Sequence, residues 1–266
     1  MDSAGIGLEN PTYVQKRLLL GKQQRELKAW TNANKLPCAH DREKAYGVAK
    51  QPRALSGKSW TGSATVDALK STRYGDVKAV NVKGVSPTLF NNQMKAVDRI
   101  ASKFPILDES LQKYGLKITS SQINGVAYTR MRNNTWNVVF NAETFSSKAN
   151  FKADVWENIK CGHFMPATKS GSSSYPAAHE LGHILQKSIA EKELGANYTY
   201  YQYKKMADKH REEIMNIVNL KGDKLSVYAK DNSRDFFAEC FANLNCGKPN
   251  AYGLALSEFL KQRGLL

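Results

Sequence analysis

The stretch Ala177-Ala178-His179-Glu180-Leu181-Gly182-His183-Ile184-Leu185 decides the reading of this chain. It holds the pattern His-Glu-x-x-His. On a helix, residues four apart share a face, so His179 and His183 can turn their imidazoles to one ion. Glu180 is rotated about 100° from His179 and faces a water beside that ion rather than the ion itself. Two neutral imidazoles, one further ligand and an open position for water describe a catalytic Zn2+ site. Zinc lowers the pKa of such a water to about 7, and Glu180 can then take its proton and pass it to a leaving amine. Before the motif, Pro166 and Lys169-Ser170-Gly171-Ser172-Ser173-Ser174 read as a loop, and Tyr175-Pro176 favours an extended or turn start to the helix. Gly182 costs a helix interior about 1 kcal/mol relative to Ala. Close approach of another segment to this face would account for it.

A two-histidine zinc site needs a third protein ligand, expected on a separate downstream helix. Residues 225–244 supply it. Ser233 reads as an N-cap, and Asp235 and Glu239 stand four apart on one face. Phe236, Phe237, Cys240, Phe241 and Leu244 pack the other faces. One carboxylate can bind the metal, and the other can hold a ligand histidine in its tautomer.

This two-helix pattern resembles the gluzincin-type metallopeptidases, and most closely the anthrax lethal-factor-like catalytic domains. Those carry His-Glu-x-x-His, then a tyrosine, then a helix of the form Glu-Phe-Phe-Ala-Glu-x-Phe. The matching residues here are His179, Glu180, His183, Tyr228, Asp235 and Glu239. The resemblance implies a zincin-like fold, with Asp235 as third ligand and Glu239 as its supporting neighbour. It also implies that Tyr228 donates a hydrogen bond to the developing oxyanion. Where the family has Glu, this chain has Asp, shorter by one methylene. Either the helix sits closer or Glu239 takes the metal.

Composition sets the setting. The 266 residues carry 39 Lys+Arg against 24 Asp+Glu, a net +15, and hydrophobic residues make up 41%. That hydrophobic share suits a folded chain, and the cationic surplus favours polyanions such as nucleic acid, although no nucleic-acid-binding motif accompanies it. No apolar run reaches the roughly 18 residues of a membrane span, and no signal peptide is visible. The expectation is a cytoplasmic protein, either in a host cell or packaged in a virion. Cys38, Cys161, Cys240 and Cys246 form no Cys-x-x-Cys pair and read as free thiols. Residues 1–75 carry 13 Lys+Arg against 6 Asp+Glu, and Tyr13 to Asn34 reads as a helix. This segment is expected to be a basic arm or assembly element. Its Gly21-Lys22-Gln23-Gln24-Arg25-Glu26-Leu27 and Asp41-Arg42-Glu43 resemble segments of bacteriophage minor head proteins, some of which carry zincin-like domains.

The main domain is expected over residues 76–266, as α+β. Strands are predicted at Asp76 to Val85, Lys117 to Thr119, Gly125 to Thr129 and Thr135 to Phe140, with a turn at Asn133-Asn134 and a helix from Ser86 to Lys103. Trp136 to Asn141 is expected as the edge strand that aligns an extended peptide. His163 is a candidate for the rim of the site, although a lone histidine is more often a surface residue. The function expected is zinc-dependent peptide hydrolysis within a virion-associated protein. The alternatives are a basic structural protein with a structural zinc site, and a toxin peptidase acting inside a cell.

Overall fold

Turn chemistry and alternation account for the sheet. Asn133 and Asn134 both take positive φ, 50° and 52°, as a two-residue hairpin turn demands and Asn tolerates. They join β3 (Ala127–Arg132) to β4 (Thr135–Asn141). With β1 (Lys78–Asn81) and β2 (Leu116–Ser121) these make a four-stranded mixed sheet of order β1-β2-β4-β3. β1 pairs with β2 and β2 with β4 in parallel, while β3 runs antiparallel to β4. This computed structural model describes residues 78–81, 84–218 and 225–266, all within one unit running from Pro52 to Leu266. The basic segment 1–75, with its expected helix, lies outside the described residues.

The expected edge strand needs correction. Trp136 to Asn141 belongs to β4, which is central, between β2 and β3. Trp136, Val138 and Phe140 are buried on the helix-covered face, while Thr135 and Asn137 on the other face are half-buried. The edge is β3. Its Ala127 and Met131 pack against the core, whereas Arg130 and Arg132 are exposed.

Helices fill one face of the sheet. They are α1 (Pro87–Ala101), α2 (Pro105–Tyr114), α3 (Tyr175–Leu194), α4 (Tyr200–Ile217), α5 (Ser233–Asn245) and α6 (Ala251–Gln262). Proline opens both α1 and α2, where its missing N–H is no loss. Gly115 and Gly195 end α2 and α3 with φ of 68° and 83°. Between β4 and α3 run shorter helical pieces: Thr144–Ser146, Lys148–Phe151, Lys152–Trp156, Glu157–Lys160 and Gly171–Ser174. Tyr175 is already helical, so the Tyr175-Pro176 step continues the Gly171–Ser174 turn into α3 rather than starting it extended.

α3 is the central helix. From Tyr175 to Ala190 it is buried on every face except at His183 and Lys187. These two are four residues apart, so the opening is a single stripe. The core around α3 contains Phe104 against Phe241, 4.8 Å between ring centroids, and Phe140 against Phe145 at 4.7 Å. Among the described residues no helix is long and apolar enough to cross a membrane.

Gly182 sets how closely α3 and α5 approach. A Cβ there would lie 2.8 Å from Ala238 Cα and 3.1 Å from Phe241 Cβ. The obstacle at Ala238 is backbone, so α5 itself would have to move. Gly182→Ala gains about 1 kcal/mol of helix propensity, but overpacking of this kind costs about 1–3 kcal/mol. We expect a net loss of up to about 2 kcal/mol in chemical denaturation, with weaker metal uptake as α5 withdraws its carboxylates.

Candidate metal centre

His179 and His183 project from the middle of α3, and Asp235 from the first turn of α5. Their ligand atoms lie within 4.8 Å of one another. The two Nε2 atoms are 3.1 Å apart. Asp235 Oδ1 is 3.4 Å from His183 Nε2 and 3.9 Å from His179 Nε2. Zinc bonds of about 2.0–2.1 Å in a tetrahedron give donor separations of about 3.3 Å. The three donors are therefore spaced to suit one ion, with Asp235 Oδ1 the donor set furthest from its neighbours. The cluster can hold a metal ion; nitrogen and carboxylate ligands in this number suit zinc among others.

Glu239 stands one turn further along α5 and is fully buried. Its Oε1 lies 2.9 Å from His179 Nδ1. A carboxylate can only accept, so Nδ1 carries a proton, and Nε2 is the nitrogen left to offer a lone pair once the ring is neutral. Oε2 accepts from the Met165 N–H at 2.7 Å and from Ser226 Oγ at 3.0 Å. The adjacent Tyr175 hydroxyl, which accepts from the same Met165 N–H at 2.9 Å, is pushed to a higher pKa by burial and by Glu239. Burial opposes charge on His179, but the hydrogen bond and charge of Glu239, with Glu180 and Asp235 nearby, outweigh it and raise its pKa to about 9.

Asp235 is oriented by the helix start. Ser233 is not the N-cap as expected; Asn232 is. Its Oδ1 accepts from the N–H groups of Arg234 and Asp235 at 3.0 Å each. Its Nδ2 donates to Asp235 Oδ2 at 2.5 Å, which leaves Oδ1 for the histidines. Ser233 Oγ instead donates to Asp208 on α4 at 2.6 Å. Burial raises the pKa of Asp235, but the hydrogen bond and charge of His183, then His179 and Asn232, bring it below the ordinary value.

Glu180 is 3% exposed and accepts from Thr129 Oγ1 of the edge strand at 2.6 Å. Tyr228, in the short turn Tyr228–Lys230 ahead of α5, lays its ring on His179, 5.6 Å between centroids and 29° from parallel. Burial, and then the charges of Asp235, Glu180 and Glu239, push the Tyr228 hydroxyl to a higher pKa, so it remains a donor. His163 is not at the rim. It is 3% exposed behind Tyr228, 5.6 Å from its ring, and its carbonyl accepts from the Tyr228 N–H.

The structure thus gathers His179, Glu180, His183, Tyr228, Asp235 and Glu239 into one place. Sequence reasoning misses Thr129, Asn232, Ser226 and the Met165 N–H. Only Asn232, an N-cap residue type before a helical pattern, leaves a signal that could have found it. Cys161, Cys240 and Cys246 are free thiols outside this cluster. Compared with protein-family models, curated proteins and solved structures, the chain matches none of them.

Proposed function

We propose that this chain is a zinc-dependent peptidase with a zincin-like domain over residues 76–266. The observation that carries the reading is a three-donor cluster with a buried carboxylate and a tyrosine hydroxyl donor beside it. His179, His183 and Asp235 would hold the ion. When bound, zinc supplies Lewis acidity toward a carbonyl and an acidified water.

The chain's own residues do the rest. Glu180 takes a proton from the water as its oxygen bonds the peptide carbon. Tyr228 donates a hydrogen bond to the oxygen that gains the negative charge. Glu180 then returns the proton to the amine nitrogen as the carbon–nitrogen bond breaks. Thr129 and Glu239 hold Glu180 and His179 in orientation. The open edge of β3, not of β4, is where an extended substrate would pair. The net positive charge and the likeness in residues 21–43 support a virion-associated setting.

The test is zinc titration of the purified chain across pH. We expect one zinc per chain, lost with Asp235→Ala. The metal must displace the proton of His179, so affinity should climb about tenfold per pH unit and level off near pH 9. In the metal-free protein the sign reverses. A raised folded-state pKa stabilises fully below the unfolded value of about 6.5, and that stability is lost as pH rises through about 9. A chain that binds no zinc between pH 7 and 9 would sink the proposal.

A further inference from the structure

The metal centre uses one face of β3; the other face carries different chemistry. Residues alternate along a strand, so Thr129 points to Glu180 while Arg130 and Arg132 point away. Register extends this face across the sheet: Lys117 on β2 and Arg130 on β3 flank Asn137 of β4, and Arg132 opposes Thr135. These residues line a groove of about 780 Å3, which shares no residue with the metal centre.

Lys113, Lys117, Arg130 and Arg132 line the groove, and no carboxylate does. Lys113 is already paired, 2.6 Å from Glu191. Among the described residues Lys117, Arg130 and Arg132 form no ion pair with an acid. Two strand spacings put Lys117 and Arg130 about 10 Å apart, and a two-residue step puts Arg130 and Arg132 about 7 Å apart. Three cations at such separations repel one another and stabilise nothing in the fold, so the ligand they suit is a repeating anion. Between and beside them stand hydrogen-bonding groups, Asn137 and Thr135. Tyr128 is not itself in the lining; it lies two residues before Arg130 on the same face of β3, with the Arg130 guanidinium 5.5 Å from its ring centroid.

From this juxtaposition we infer that the outer face of the sheet binds single-stranded nucleic acid. Phosphates meet the three cations, and a base stacks at Tyr128. A positively charged groove beside an aromatic ring suits a single strand, whose unpaired bases are free to stack. A lipid surface lacks support, because no large exposed apolar side chain lines the groove. This site is independent of the metal centre, and each stands if the other fails.

The experiment is fluorescence anisotropy with the full chain and a labelled mixed-sequence oligonucleotide, as single-stranded DNA and as RNA, across a salt series. The triple variant Lys117→Gln/Arg130→Gln/Arg132→Gln should bind at least about tenfold more weakly. The magnitude of its slope of log affinity against log salt should fall by about 2, from three contacts of about 0.7 each. Lys204→Gln/Lys205→Gln/Lys209→Gln, an equal charge loss on exposed positions of α4, should bind like the parent. In the unaltered chain, bound oligonucleotide should slow acetylation of Lys117 but not of Lys204; this reading needs no variant to fold. Equal weakening by both triples, binding unchanged by the groove triple, or no protection of Lys117 would each overturn the inference. So would tighter groove-dependent binding of duplex DNA or of phosphatidylserine vesicles.

Discussion

Glu180→Gln should abolish peptide hydrolysis and leave the fold and zinc uptake intact. Glutamine keeps the length of the side chain, and its carbonyl oxygen still accepts from Thr129 Oγ1, so the buried position stays filled and that hydrogen bond is kept. It cannot take a proton from water or give one to an amine. Losing general acid–base catalysis lowers a rate by about 10²–10⁴-fold. The measurement is turnover of an unfolded protein substrate, with zinc content determined on the same samples. Turnover within a few-fold of the parent at full zinc content would remove Glu180 from the mechanism. A parent chain that holds zinc but cleaves nothing would leave a structural metal site in a basic protein.

The second large effect is on stability. Glu239→Ala should destabilise the domain by about 3–5 kcal/mol, because it removes a fully buried charge on which several donors converge. The Met165 N–H and Ser226 Oγ lose their Glu239 acceptor, and His179 Nδ1 loses its partner. A water in the vacated space could satisfy only some of them. The variant should also bind zinc about 10–100-fold more weakly, since nothing then fixes the tautomer of His179. Urea denaturation with and without zinc separates the two losses. Glu239→Gln should fall between parent and Ala: it keeps the volume and one acceptor, but turns an N–H pair toward groups that themselves donate. A loss under about 1 kcal/mol for the Ala variant would show that the carboxylate does not organise this region.

The parts of the site that lie within one helix are legible in the sequence. His179 and His183 are neighbours by helical geometry alone, and so are Asp235 and Glu239. Which carboxylate meets the histidines is not. The two are one turn apart, about 6 Å along the axis, and the answer depends on where α5 crosses α3. Gly182 and Ala238 fix that crossing, and only the glycine shows in the sequence as a residue wanting a reason. Strand order is harder still. The chain meets β3 before β4, yet β4 lies inside and pairs in parallel with β2, a non-local match that no short pattern encodes. Thr129 reaches Glu180 only because of that order. Helix α2 leaves only faint marks, Pro105 at its start and Gly115 at its end.

The contact at Gly182 behaves as a mechanical stop. With Ala238 against bare backbone, the two ligand-bearing helices have no clearance left to close, so displacement from this geometry runs in one direction only, outward. Any inward adjustment of Asp235 toward the histidines therefore falls to its side chain and not to the backbone of α5.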